Sequence, residues 1–303
     1  MRLGGLLLLV TRASARTAVC VSGQLRTFGR TWPGLLNLTQ AVPGPTDWFL
    51  FVSLNETYRK SLQMKAYHSV QARSSFETAL EAMKPVTVQY YESVVKDSAD
   101  FADATLRSYA REAPAAGECH RNEKKPKCCH FSHHGPQFWG VAQCFAMITA
   151  RERVAKVRYD WVVRVRPDAV LSPRQLRAVA AATRRTQDPL LEKRAWLRPG
   201  TRSDAFALLT RAAMDAYAGI WGVFQGGCAA IGLGHKPDIA RLDPICTPLK
   251  IRVKTGTECL VAAQLHAGNV TIEAHTDFSA GLLRPVEPRS KARKRPPPKK
   301  MPP

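Results

Sequence analysis

The segment Tyr159-Asp160-Trp161-Val162-Val163-Arg164-Val165-Arg166-Pro167-Asp168 constrains this chain more than any other. Its apolar, β-branched run predicts a buried strand over Tyr159–Val165, and Pro167, which has no N–H for a ladder, ends it. Side chains alternate along a strand, so Arg164 and Arg166 share one face. Two guanidiniums on one face of a core strand are costly unless they meet a negative charge. Asp168 follows at the C-terminal end of the strand, where open α/β sheets bind ligands. The segment reads either as an anion site, with Asp168 placed to hold a hard divalent cation beside phosphates, or as an internal Arg–Asp ion pair at a strand end.

Other short apolar runs set the frame around it. Thr17–Val21 predicts a first buried strand, feeding a turn at Ser22-Gly23-Gln24. A helix pattern covers Trp32–Leu38, Pro43-Gly44-Pro45 breaks it, and Asp47–Val52 is a second strand. A polar, helical stretch from Glu56 to Met83 precedes a third strand over Pro85–Tyr91. Apolar residues return at helical spacing from Gln137 to about Lys156. Leu171–Thr183 predicts another helix, opened by Ser172 as N-cap and Pro173 in the first turn. Strands alternating with helices imply an α/β fold: one mostly parallel sheet flanked by helices, in a single domain.

The segment 113–136 interrupts the alternation as a long polar loop rich in Cys, His and Lys. Cys119-His120, Cys128-Cys129-His130 and His133-His134 could bind zinc, but no Cys-x-x-Cys clamp is present. The alternative is disulfides among Cys119, Cys128, Cys129 and Cys144, with one further bridge among Cys228, Cys246 and Cys259. Cys20, inside the first strand, reads as a buried free thiol.

The chain has 303 residues with 45 Lys+Arg against 24 Asp+Glu, a net charge of +21. Residues 284–303 carry eight of the basic residues and one acidic one; dominated by Arg, Lys and Pro, they predict a disordered tail. The body keeps the larger share of the excess, which draws anions such as nucleotide diphosphates, sulfated glycans, nucleic acid or acidic membranes without choosing among them. Residues 1–16 read as a signal peptide or truncated signal anchor: Arg2, the run Leu6-Leu7-Leu8-Leu9-Val10, then Ala13-Ser14-Ala15. The other reading is a first buried strand. Three Asn-x-Thr acceptors, at Asn37, Asn55 and Asn269, fit passage through the secretory pathway.

In order along the chain, Val19-Cys20-Val21-Ser22-Gly23-Gln24-Leu25-Arg26-Thr27-Phe28, Phe49-Leu50-Phe51-Val52 and Tyr159–Asp168 resemble a loosely defined group of GT-A-like (Rossmann-like) glycosyltransferases. In that group the strand-end Arg-Pro-Asp looks like the counterpart of the Asp-x-Asp nucleotide-sugar motif. The segment Ser203–Met214, with Asp204 and Phe206, resembles an acceptor-side element, and Thr257-Glu258-Cys259-Leu260 with Leu265-His266 resembles a later one. The chain departs from the group in two places: one acidic residue stands where metal-dependent members have two, and Thr257 stands where proline is usual.

The resemblance implies a nucleotide-sugar donor held by Ser22, Gly23, Arg26, Arg164, Arg166 and Asp168, with Mn²⁺ or Mg²⁺ at Asp168. It implies Asp204 or Glu258 for binding the acceptor and removing its proton. The acceptor would be a glycan or glycoprotein, acidic if the positive body selects it, in the Golgi or endoplasmic reticulum lumen or outside the cell, with membrane association open. No nucleic-acid partner is expected, since no folded nucleic-acid motif accompanies the basic run Lys291–Lys300. Two other readings stand beside this one. A sulfotransferase would use Ser22–Thr27 as its sulfonucleotide loop; a non-enzymatic basic protein would bind carbohydrate or nucleic acid.

Overall fold

The computed structural model describes residues 15–25, 27–53, 76–91, 135–197, 205–222, 257–274, 276–278 and 281–282. In chain order these form β1 (Thr17–Gln24), α1 (Phe28–Leu36), α2 (Leu38–Ala41), β2 (Thr46–Ser53), α3 (76–83), β3 (Thr87–Tyr91) and α4 (Gly135–Ala155). There follow β4 (Trp161–Val165), β5 (Ala169–Val170), α5 (Pro173–Arg185), β6 (Arg194–Leu197), β7 (Phe206–Thr210) and α6 (Arg211–Ala218). The last elements are α7 (Thr257–Ala267), β8 (Thr271–Ala274), a 3-10 turn (Thr276–Phe278) and β9 (Gly281–Leu282).

Seven strands make one sheet in the order β3-β2-β1-β4-β7-β6-β8. β3, β2, β1 and β4 are parallel neighbours, β6 and β8 are parallel, and β7 runs antiparallel to both β4 and β6. The mostly parallel sheet expected from the alternating pattern is therefore present, with β7 as its one reversed strand. A small ribbon of β5 and β9 stands apart from it.

Period-two alternation divides the core between two faces. Ala18, Cys20, Phe49, Phe51, Val162, Ala207 and Leu209 face α4, α6 and α7. Val19, Val21, Leu50, Val52, Trp161, Val163, Phe206 and Leu208 face α1, α2, α3 and α5. Both faces of the central strands are thus covered, which is why β1, β2 and β4 read as nearly unbroken apolar runs. Burying each large side chain contributes about 1.5–3 kcal/mol.

The element boundaries follow local chemistry. Ser172 Oγ accepts a hydrogen bond from the Gln175 N–H at 3.2 Å and Pro173 fills the first turn of α5, as the sequence predicts. α4 begins two residues before the expected Gln137 and ends where Lys156 takes a positive φ of 55°. α7 ends in a Schellman arrangement: Asn269 (φ 56°) donates to the His266 carbonyl, and Val270 donates to Leu265 at 2.9 Å. At the amino ends of the strands Tyr159 donates to Asp47 at 2.6 Å, beside Arg16. Burial, reinforced by that hydrogen bond, pushes the Tyr159 hydroxyl well above the ordinary tyrosine range.

Two expectations are corrected. β1 does not stop at Val21; it stays paired with β2 through Gln24↔Ser53, because Gly23 takes φ +135° without leaving the ladder. Cys20 is not a free thiol, and Cys144 does not pair within the Cys/His-rich segment. α4 crosses β1 with the two Cα atoms 5.9 Å apart, inside bonding range, and Cys20 is joined to Cys144 across 124 residues. Residues 1–14, the loop 113–134, Asn55, Cys228, Cys246 and the tail 284–303 lie outside the described residues.

The Cys20–Cys144 link closes a long loop and should contribute about 2–4 kcal/mol to stability. Replacing both cysteines by Ala should lower the urea midpoint accordingly, and peptide mapping without reductant should recover the two joined in the native chain. Recovery of either as a free thiol would contradict the pairing.

Candidate functional site

From β1 the chain steps outward to β2 and β3, then returns across the sheet to β4. Strand order therefore reverses between β1 and β4, and the crevice beyond their carboxyl ends is where open α/β sheets take ligands. The last pair of that ladder is Val21↔Val165. Beyond it Ser22-Gly23-Gln24 continue paired with β2, while Arg166-Pro167-Asp168 leave the sheet beside them.

Close packing fixes the second segment. A Cβ on Gly23 would lie 3.2 Å from Pro167 Cδ, and the φ of +135° would strain any other residue. Thr31 Oγ1 donates to the Pro167 carbonyl, tying α1 to the turn. Arg166 N–H donates to the Ala205 carbonyl at 3.0 Å, and Ala169 N–H closes the turn onto the Arg166 carbonyl at 3.1 Å. The Arg-Pro-Asp turn is thus held from β1, from α1 and from the chain entering β7.

Within that turn, Arg166 and Asp168 form a fork. Nε donates to Oδ1 at 2.8 Å and Nη2 to Oδ2 at 2.9 Å. Asp168 is 1% exposed and Arg166 16%, so the pair is fixed in plane with one guanidinium edge left over. That edge meets α4, where Arg166 Nη1 donates to Gln137 Oε1 at 3.4 Å. Arg164 is fully buried two residues earlier on the same face, in register with Cys20 and Ala207. Ser22 lies on this face too; its Oγ is buried and has no hydrogen-bond partner among the described residues.

α4 brings its first turn to the same place. Cys144, midway along it, is bonded to β1, and its last turns reach the amino end, where Glu152 accepts from Tyr159 N–H and from Arg211. The helix runs against β1 and β4, so the positive end of its dipole points at the carboxyl ends. Phe51 and Trp139 meet edge to face at 4.9 Å beside it. The arrangement gathers positive charge at this end of the sheet: the N-terminus of α4, the buried Arg164 and the partly exposed Arg166 on one face, with the Ser22 hydroxyl beside them.

The expected residues fall into two groups. Ser22, Gly23, Arg164, Arg166 and Asp168 converge. Arg26 and Asp204 lie outside the described residues, as does the side chain of Glu258. The backbone of Glu258 is in the first turn of α7; because that helix ends at the amino end of β8, its start is directed toward the crevice end of the sheet. Thr31 and Gln137 were not anticipated, and no local motif marks either.

A divalent cation does not fit the described donors. Both oxygens of Asp168 are engaged by Arg166, and among the described residues no group of three or more His, Cys, Asp or Glu could hold a metal ion. Hard cations take six or more oxygen ligands, and the described residues bring only this one carboxylate, already accepting from Arg166, to the end of β4.

No family model and no curated protein matches the chain. Among solved structures, one similar chain is titled "crystal structure of a glycosyltransferase involved in the glycosylation of the major capsid of PBCV-1". The superposition has a TM-score of 0.28 and 8% identity over 69% of this chain and 66% of that one, just under two thirds of its length. A superposition that loose does not assign chemistry; the strand order stands independently of it.

Gly23→Ala should cost about 1–3 kcal/mol in urea unfolding, from backbone strain and the Pro167 contact. An unchanged midpoint would show that Gly23 does not hold this conformation.

Proposed function

We propose that this protein is a glycosyltransferase that moves a sugar from a nucleotide-sugar donor to a glycan or glycoprotein acceptor in the lumen of the Golgi or endoplasmic reticulum. One observation carries the reading. At the point where strand order reverses, Gly23 backbone, the Arg164/Arg166 face and the N-terminus of α4 converge on one crevice. A nucleotide diphosphate is the anion such a crevice suits, having charge for the arginines and a long body to lie across the sheet edge.

In the proposed reaction an acceptor hydroxyl attacks the anomeric carbon and the bond to the diphosphate oxygen breaks. The diphosphate leaves with the electron pair, and Arg166 and Arg164 offset its growing charge. Asp168 acts through Arg166: the fork fixes the guanidinium plane so that little reorganisation accompanies the reaction. Asp204 or Glu258 takes the acceptor proton. Arg26, three residues beyond Gly23 in sequence, is assigned to the diphosphate. The resident charge of these arginines performs the role that a cation performs in metal-dependent sites.

The lumenal setting is supported by Cys20–Cys144, since such bonds persist in oxidising compartments. The leader-like first sixteen residues and the three Asn-x-Thr sites agree with it.

A thermal-shift panel of nucleotide sugars and a sulfonucleotide, with and without Mn²⁺, tests the reading. Stabilisation by a nucleotide sugar is expected, and it should persist in EDTA; stabilisation by the sulfonucleotide alone would support sulfuryl transfer instead. Asp168→Asn, which keeps the shape of the side chain but not its charge, should lower sugar transfer on the order of 100-fold. Full activity in that variant would remove the fork from the mechanism.

A further inference from the structure

Two of the Asn-x-Thr tripeptides share a pattern that their sequence alone does not show. In Asn37-Leu38-Thr39, Leu38 is fully buried while Asn37 and Thr39 on either side are exposed. In Asn269-Val270-Thr271, Val270 is buried and Asn269 and Thr271 are exposed. In each, the apolar middle residue is buried and the asparagine and threonine on either side are exposed; Thr39 Oγ1 also donates to the Leu36 carbonyl at 2.7 Å. Asn55, the third candidate, is outside the described residues.

Neither asparagine side chain is spent on local structure. Asn37 stands at the junction of α1 and α2, a position where asparagine commonly caps, yet its side chain makes no capping hydrogen bond. Asn269 is the left-handed residue that ends α7, a role that uses its backbone and its tolerance of positive φ, not its amide. That backbone role would explain an asparagine at 269. It does not explain Thr271, whose N–H donates to the Lys193 carbonyl while the residue stays exposed.

Their place in the fold keeps the crevice clear. Asn269 directly precedes the amino end of β8, the end of the sheet opposite Gly23 and Asp168. Asn37 lies on the return from the carboxyl end of β1 to the amino end of β2, where Pro43 and Pro45 carbonyls accept from Thr17. Bulky glycans at these two positions would cover outer surface and leave the carboxyl ends of β1 and β4 open.

We infer that Asn37 and Asn269 are N-glycan attachment sites. The inference rests on the lumenal setting proposed above. The co-reactant is a lipid-diphosphate-linked oligosaccharide with its transferring enzyme. The asparagine Nδ2 forms a bond to the sugar anomeric carbon, the bond from that carbon to the diphosphate oxygen breaks, the lipid diphosphate leaves with the electron pair, and one amide proton is lost.

The test translates the full chain in the presence of microsomes in two forms, one with its own N-terminus and one behind the cleavable signal peptide of a secreted protein. Gel mobility is then read before and after a glycan-removing amidase. In the signal-bearing form, Thr39→Ala and Thr271→Ala should each remove one glycan, while Thr39→Ser and Thr271→Ser should keep it. Because the asparagines are untouched, the cap of α7 survives in every variant. A glycan number unchanged by either alanine substitution would overturn the inference at that site. If the signal-bearing chain is glycosylated but the chain with its own N-terminus stays open to protease, the lumenal setting fails while the two sites stand as competent acceptors.

Discussion

The parallel ladder between β1 and β4 is the constraint on which the rest depends. Five register pairs, from Thr17↔Trp161 to Val21↔Val165, bring two strands that are far apart in sequence to a common end. A register slip of one residue would exchange the faces of β4 and turn Arg164 from the α4 side to the α1 side. The buried set Trp161, Val163 and Val165 against Ala18, Cys20 and Val162 forbids that slip. Hydrophobic pairing in the sheet thus fixes the side on which charge appears at its edge.

Charge at that edge is arranged economically. A fully buried arginine and a second one 16% exposed would oppose folding if nothing answered them. Asp168 answers Arg166 through a two-point fork, which also holds the guanidinium in one plane. The fork settles how the two sequence-level readings of this segment relate. The internal ion pair exists at the carboxyl end of β4, and the anion site proposed above would lie beside it. The same fork engages both Asp168 oxygens, and the proposed reaction accordingly draws on guanidinium charge.

Much of the fold was legible because its signals are local. Apolar runs of five to eight residues located β1 to β4, and Ser172-Pro173 located the start of α5 almost to the residue. Long-range and context-dependent features were not legible. The Cys20–Cys144 bond spans 124 residues, and spacing favoured partners for Cys144 nearer in sequence. The continuation of β1 through Gly23 ran against the usual reading of Ser-Gly-Gln as a turn, because the ladder to β2 outweighed local preference. The antiparallel β7 was not legible: the pattern after Trp196 is short and broken, and nothing in Phe206–Thr210 marks its direction. Of the candidate site, the segment Arg164–Asp168 stood out because charge in a core strand is unusual. Thr31 and Gln137 did not, since a threonine or a glutamine in a helix has many ordinary explanations.

The central claim is that the crevice between the carboxyl ends of β1 and β4 holds a nucleotide diphosphate. A crystal structure of the chain with a nucleoside diphosphate bound tests it most directly. The account expects the diphosphate against the Gly23 backbone, within hydrogen-bond reach of Arg166, with the Arg166–Asp168 fork intact. A diphosphate bound away from both strand ends, or a fork opened to let Asp168 ligate a metal ion, would contradict it.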